Sequence, residues 1–238
     1  MGIELITEDG SVRRPGGPAG RAPAPAPLRG VVFDLDGVLA DSFGVMREAF
    51  AVAYREVVGD GEPPFEEYSQ HLGRYFPDIM TIMGLPLEME EPFVRESYRL
   101  ADRVRLFDGV VDMLQELREA GIRCAVATGK SGPRARSLLA GLGIAELFEH
   151  IVGSDEVARP KPAPDIVLRA VELLGIGREE AVMIGDAVSD LASARSAGVT
   201  AVAALWGESD PAPLLDARPD AAAADPGEFL AWCLKAAR

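Results

Sequence analysis

Asp34 and Asp36 stand two residues apart, close a short apolar run, Val31-Val32-Phe33, and lead into Gly37. A second acidic pair, Asp186 and Asp190, follows another apolar run, Ala181-Val182-Met183-Ile184, across Gly185. Crowded carboxylates repel one another, so at neutral pH such a group calls for a cation. One candidate is Lys161, set in Arg159-Pro160-Lys161-Pro162-Ala163-Pro164-Asp165, where the prolines restrict the backbone and aim the ammonium at a fixed point. The other is a metal ion. Hard oxygen donors without clustered histidine or cysteine suit magnesium rather than zinc, and His71 and His150 are too scattered for a histidine-based centre. Thr128-Gly129-Lys130-Ser131 supplies a further element, with Ser131 the candidate N-cap of a following helix. A hydroxyl, an amide freed by glycine and a helix N-terminus make a seat for phosphate.

Taken singly, each motif has a plainer reading. Asp-X-Asp-Gly is commonly just a turn, Thr128-Gly129 a capped loop, and Lys161 a surface lysine in a rigid loop. Ser189 or Asp190 can serve as a helix cap, but capping leaves Asp186 unexplained. What raises the chemical reading is where the motifs fall. Five short apolar runs read as buried strands: Val31-Val32-Phe33, Cys124-Ala125-Val126-Ala127, His150-Ile151-Val152-Gly153, Ala181-Val182-Met183-Ile184 and Thr200-Ala201-Val202-Ala203-Ala204-Leu205. Helical spacing lies between them, in Val110, Leu114 and Leu117; in Leu138, Leu139 and Leu142; in Ile166, Val167, Ala170, Val171 and Leu174; and in Leu191, Ala194 and Ala197. Such alternation predicts an α/β fold, a parallel sheet with helices on both faces. Parallel sheets place ligands at the carboxyl ends of their strands, where every motif above falls.

Residues 43–106 break the alternation. They contain no strand signal; Met46, Ala49, Phe50, Ala53 and Val57 share one helical face, and further helices are expected near 64–72, 77–83 and 89–104. This predicts a small inserted helical domain, with residues 29–42 and 107–238 forming the main domain. Phe65, Tyr68, Met80, Met83, Phe93 and Tyr98 are expected to be the insert's own core. Residues 1–28, rich in Pro, Gly and Ala, bury too little to offset their ordering entropy and are expected to form a flexible tail.

The formal net charge of -14 argues against nucleic acid or an anionic membrane as partner, since both demand basic surface. An anionic substrate would then need local cations or a metal to reverse the field at the site. The two cysteines, Cys124 and Cys233, read as free thiols in a reducing compartment. With no signal peptide pattern and no membrane-length apolar stretch, the chain is expected to be soluble and cytoplasmic, acting as a monomer or homodimer on a small molecule.

Asp34-Leu35-Asp36-Gly37-Val38-Leu39-Ala40-Asp41-Ser42, then Thr128, Lys161, and Gly185-Asp186 with Asp190 resemble the four ordered motifs of the haloacid dehalogenase superfamily. The likeness runs from about Val31 to Trp206, and the insert between the first two motifs resembles the helical cap of the phosphoglycolate phosphatase-like branch. Met46-Arg47-Glu48-Ala49-Phe50 and His71-Leu72-Gly73-Arg74-Tyr75-Phe76-Pro77-Asp78-Ile79-Met80 resemble actinobacterial proteins associated with 3-amino-5-hydroxybenzoate synthesis. The resemblance implies a magnesium-dependent phosphatase with a Rossmann-like core. Asp34 would be the nucleophile and Asp36 the acid and base, with Thr128 and Gly129 holding phosphoryl oxygens. Lys161 would neutralise charge, and Asp34, Asp186, Asp190 and the Asp36 carbonyl would surround the metal. Arg74, Lys130 and His71 are candidate substrate contacts, each of which also fits a solvated surface position. Three alternatives share part of the pattern. A dehalogenase would not need Asp36, a β-phosphoglucomutase-like phosphomutase would keep every motif, and a non-catalytic scaffold would need none.

Overall fold

A computed structural model describes residues 27–207 and 210–237, together with the pairs Leu5–Ile6 (β1) and Val12–Arg13 (β2). Those pairs form an antiparallel ribbon, so part of the expected tail is locally ordered; the rest of residues 1–26 lies outside the described residues.

Six strands form one parallel sheet: β3 (Gly30–Phe33), β6 (Arg123–Thr128), β7 (His150–Gly153), β8 (Ala181–Gly185), β9 (Thr200–Ala204) and β10 (Ala221–Ala223), in the order β10-β9-β8-β3-β6-β7. Successive residues alternate between two cores. Val31, Phe33, Cys124, Val126, Val182 and Ile184 enter one cluster, while Val32, Ala125, Ala127, Ala181 and Met183 enter the other. Period-2 alternation with both faces buried explains why each run reads as uniformly apolar. Helices α5 (Val110–Glu119), α6 (Gly132–Gly141) and α10 (Pro226–Ala236) cover the first face. Helices α7 (Asp165–Leu174), α8 (Val188–Ala197) and α9 (Pro211–Asp216) cover the second. All but α9, which buries Leu214 alone, bury an i, i+3/i+4 stripe, and α7 ends at Gly175 in the left-handed conformation that glycine tolerates.

Residues 43–99 form α1 (Phe43–Val57), α2 (Phe65–Ser69), α3 (Phe76–Met83) and α4 (Glu90–Arg99) around a core of their own. Phe50, Phe65, Tyr68, Phe76 and Phe93 form a continuous aromatic cluster, with Phe76 stacked on Phe93 at 4.1 Å. Tyr98, expected in this core, is instead 46% exposed at the end of α4. Two of the expected helices, those near 64–72 and 89–104, are also shorter, and residues 87–89 and 101–103 are single 3-10 turns flanking α4.

Besides β1 and β2, three strands escaped the sequence reading. Ala40–Asp41 (β4) pairs antiparallel with Arg105–Leu106 (β5), where the helical segment leaves and rejoins the sheet domain. A two-residue pairing is too short to show periodicity. Strand β10 is three alanines, without the β-branched residues that mark strands. Among the described residues, no helix is long and apolar enough to cross a membrane.

Candidate active site

Asp34 sits one residue past the central strand. Its N–H donates to the Ile184 carbonyl at 3.0 Å, which extends the β3–β8 pairing and sets Asp34 beside the end of β8. Phe33 anchors the preceding position, fully buried and edge-on to Phe148 and Phe229 at 6.0 Å each. Asp186 follows β8, and Asp190 lies in the first turn of α8. One carboxylate oxygen from each of Asp34, Asp186 and Asp190 falls within 4.8 Å of the others, and all three residues are buried. Gly37, at φ +75, makes this packing possible, because a Cβ there would fall 1.9 Å from the Asp186 carboxylate.

Lys161 brings positive charge into the cluster. It is 1% exposed; its Nζ lies 3.0 Å from Asp34 Oδ1 and donates to Asp190 Oδ1 at 2.6 Å and to the Ala127 carbonyl at 3.2 Å. Burial alone would lower its pKa, but Asp190 and Asp34 overrule it and hold the ammonium charged. Even so, one ammonium does not balance three carboxylates. Burial, reinforced by Asp190, pushes Asp34 up to about 7 against the opposing pull of Lys161. Asp186 is also raised well above the ordinary carboxylate range, first by burial and then by Asp34. Buried, mutually repelling oxygen donors with raised pKa values are a set that a divalent cation would stabilise. Asp190 is already engaged on both oxygens, Oδ1 by Lys161 and Oδ2 by the Ala187 N–H at 3.1 Å, with about half of its lone pairs left for a cation.

Asp36 turns to a different cation. Lys130 Nζ donates to both its oxygens at 2.6 Å, and Ser42 Oγ donates to Oδ1. Burial would raise this carboxyl, yet Lys130 and Ser42 bring it below the usual range. Lys130, named in the sequence as a candidate substrate contact, is therefore engaged by Asp36 here. Thr128 is fully buried, its Oγ1 accepting the Lys130 N–H at 3.2 Å. Ser131 stands at the N-cap of α6 without capping it, and Asp155 takes the Gly132 N–H at 2.7 Å. The helix end expected to seat phosphate thus has one amide already occupied.

A cavity lies between this cluster and the helical segment. Asp34, Asp36, Asp186, Gly129 and Lys130 line it from below; Arg74, Tyr68, Phe76 and Phe93 line it from above. His71 is half-buried and is not among the lining residues. The 72–74 turn presses directly on the sheet domain. Ser189 Oγ donates to the Leu72 carbonyl at 3.2 Å, and a Cβ on Gly129 would lie 2.6 Å from the Arg74 carbonyl.

Residues 28–198 match the family model for haloacid dehalogenase-like hydrolases. The chain belongs to that family. Among relatives of the haloacid dehalogenase-like hydrolase, "Probable phosphatase IndB" of Dickeya dadantii is 32% identical over 74% of this chain and 81% of its own. The phosphoglycolate phosphatase of Xanthomonas campestris is 38% identical over 45% of this chain, and the match spans 49% of that relative. In several curated relatives only about half of the relative's length is matched. Among solved structures, a haloacid dehalogenase-like hydrolase from Streptococcus pneumoniae superposes with a TM-score of 0.74 at 28% identity, covering 86% of this chain and 98% of its own.

The hydrolase's cavity also holds residues to which the sequence reading gave no role. Ser42 fixes Asp36, and Arg134, 8% exposed in the first turn of α6, faces the same space. Arg134 was legible in one respect. A cation in a helix's first turn opposes the helix dipole and calls for a reason.

Proposed function

We propose that this hydrolase is a magnesium-dependent phosphatase of the phosphoglycolate phosphatase-like branch, cleaving a small-molecule phosphate monoester through a phospho-aspartyl intermediate on Asp34. The observation that carries the reading is the buried cluster of Asp34, Asp186, Asp190 and Lys161 at the end of the central strand, opening on a closed-over cavity. Asp34 and Asp186, with the Asp36 main-chain carbonyl, would hold the magnesium. Asp190 would chiefly orient Lys161, given its existing hydrogen bonds. When bound, the ion supplies charge cancellation between a carboxylate and a phosphate dianion, which otherwise repel.

In the first step an Asp34 carboxylate oxygen attacks phosphorus and the bond from phosphorus to the ester oxygen breaks. Asp36, ionised while paired with Lys130, would take up a proton from solvent as it leaves that pair and give it to the leaving alkoxide. In the second, water attacks phosphorus, Asp36 takes a proton from it, and the bond from phosphorus to the Asp34 oxygen breaks. Asp36 must therefore leave Lys130 to reach the reacting oxygens, and that movement frees Lys130 for phosphate. Lys161, Thr128 and the Gly129 N–H would steady the phosphoryl oxygens, so that catalysis is mostly positioning and charge stabilisation.

Residues 43–106 would act as a cap on a core of residues 29–42 and 107–238, excluding water during the first step. Arg74 is the cap residue placed to meet substrate. The resemblance of Met46–Phe50 and His71–Met80 to proteins of aminohydroxybenzoate synthesis makes an ester of that pathway one candidate substrate. A phosphomutase is the second reading, since a β-phosphoglucomutase-like enzyme would keep every motif of the site.

Phosphate release from p-nitrophenyl phosphate, with magnesium or with a chelator, tests the proposal, and Asp186→Ala should abolish release or sharply raise the magnesium requirement. Metal-independent turnover in that variant would defeat the metal assignment. An isomerised sugar phosphate product without net phosphate release would favour the mutase.

A further inference from the structure

Three cations, Lys161, Lys130 and Arg134, lie in or beside the cavity with little exposure, and two of them have anions within the protein. Lys161 pairs with Asp34 and Asp190, and Lys130 pairs with Asp36. Arg134 has none among the described residues. Its Nη2 donates to Ser97 Oγ at 3.1 Å, and its guanidinium lies over the Phe93 ring at 5.1 Å. One hydrogen bond and one ring face leave most of its five N–H donors unused. Three costs meet at this side chain. A guanidinium 8% exposed has lost most of its hydration. Its place in the first turn of α6 sets it against the positive end of the helix dipole. The wall beside it, Tyr68, Phe76 and Phe93, provides little screening. Asp36 and Glu90 offset these costs only from beyond ion-pair distance, whereas an anionic ligand in the cavity would meet the guanidinium directly.

The position of Arg134 indicates which part of a ligand it would meet. It lines the cavity of the aspartates and also a smaller neighbouring cavity, bounded by Ser97, Tyr98 and Ser137 and touched by none of Asp34, Asp186 or Asp190. It therefore stands on the side of the site away from the attacking carboxylate, where the leaving group of an ester would extend.

We propose that Arg134 is a specificity-determining residue that receives a carboxylate on the leaving group, so that the substrate is a small phosphorylated carboxylic acid. The inference rests on the phosphatase reading and deepens it. A guanidinium fork accepts a carboxylate through two parallel N–H···O bonds, which fixes orientation as well as affinity.

The test uses the full chain with magnesium and two esters that differ in one group: 3-phosphoglycerate, and glycerol 3-phosphate, in which the carboxylate is replaced by hydroxymethyl. The wild type should prefer the acid in kcat/KM by about tenfold or more, the scale of a lost charge-assisted pair. Arg134→Gln should erase the preference by raising KM for the acid far more than for the alcohol, and Arg134→Lys should restore part of it. Equal losses on both esters would make Arg134 a structural tie between α6 and α4 or a phosphoryl contact, and would overturn the proposal. If Arg134→Gln does not fold, the wild-type ratio decides alone, because a ratio near one contradicts the proposal. A stronger preference for fructose 1,6-bisphosphate over fructose 1-phosphate than for acid over alcohol would assign Arg134 to a second phosphate and also overturn it. Hydrolysis of p-nitrophenyl phosphate without acid preference removes this inference and leaves the phosphatase reading standing. Absence of hydrolysis of every ester removes both.

Discussion

Replacing Lys161 with methionine keeps the aliphatic stem and deletes the ammonium, together with its contacts to Asp34 Oδ1 at 3.0 Å, Asp190 Oδ1 at 2.6 Å and the Ala127 carbonyl at 3.2 Å. Lys161 and both aspartates are buried, so water cannot replace what is lost. Breaking a buried pair by removing one partner costs roughly 3–5 kcal/mol, which for a chain of this size lowers Tm by roughly 10 °C. The deficit should depend on pH in a fixed sense. Folded Asp34 already binds its proton up to about 7, above the ordinary value of 3.8, so as pH rises through that window the unfolded chain ionises first and stability is lost. Without the ammonium the folded carboxyl rises further, and the loss extends to higher pH. Thermal melts in chelator at pH 5 and pH 8 should therefore show a small deficit at the lower pH and the full one at the higher. A variant as stable as wild type at pH 8 would refute the reasoning, since it would mean that the ammonium does not compensate the carboxylates.

Two further outcomes follow from packing. Gly73→Val puts a Cβ at φ +81, 2.4 Å from Ser189 Oγ, whereas Gly84→Val meets nothing within 4 Å at φ +66. Both should lose about 1–3 kcal/mol to backbone strain, but only the first should raise KM, and equal KM values would separate the 72–74 turn from substrate binding. Burial pushes the Cys124 thiol up to about 12 and raises Cys233 as well, so neither should react with iodoacetamide at pH 8 until denaturant is added. Rapid labelling of the native chain would contradict their burial.

Five of the six sheet strands were legible because they are apolar on both faces, and β3, β6 and β8 run into a polar residue at their carboxyl ends. That combination is rare outside parallel sheets, so Asp34, Thr128 and Asp186 could be assigned to one rim before any coordinates. The helical segment was legible from its periodicity. Tyr98 was misplaced because residue type says nothing of which side of α4 it falls on. Partnerships were less readable than positions. Asp36 and Asp34 are neighbours in sequence yet take different lysines, because the chain turns between them at Leu35. Lys130 looked like a free substrate contact, and its engagement with Asp36 depends on bringing together residues 94 positions apart. Arg134 was passed over because its significance lies in the absence of a partner.

The most direct measurement is an acid quench during turnover of a phosphate ester with magnesium, followed by mass spectrometry of the peptide containing Asp34. The account predicts a phosphoryl group on Asp34, labile to base and missing in Asp34→Asn, which should retain the wild-type Tm but release no phosphate. Steady phosphate release with Asp34 unmodified, or a phosphoryl group found on another residue, would contradict it.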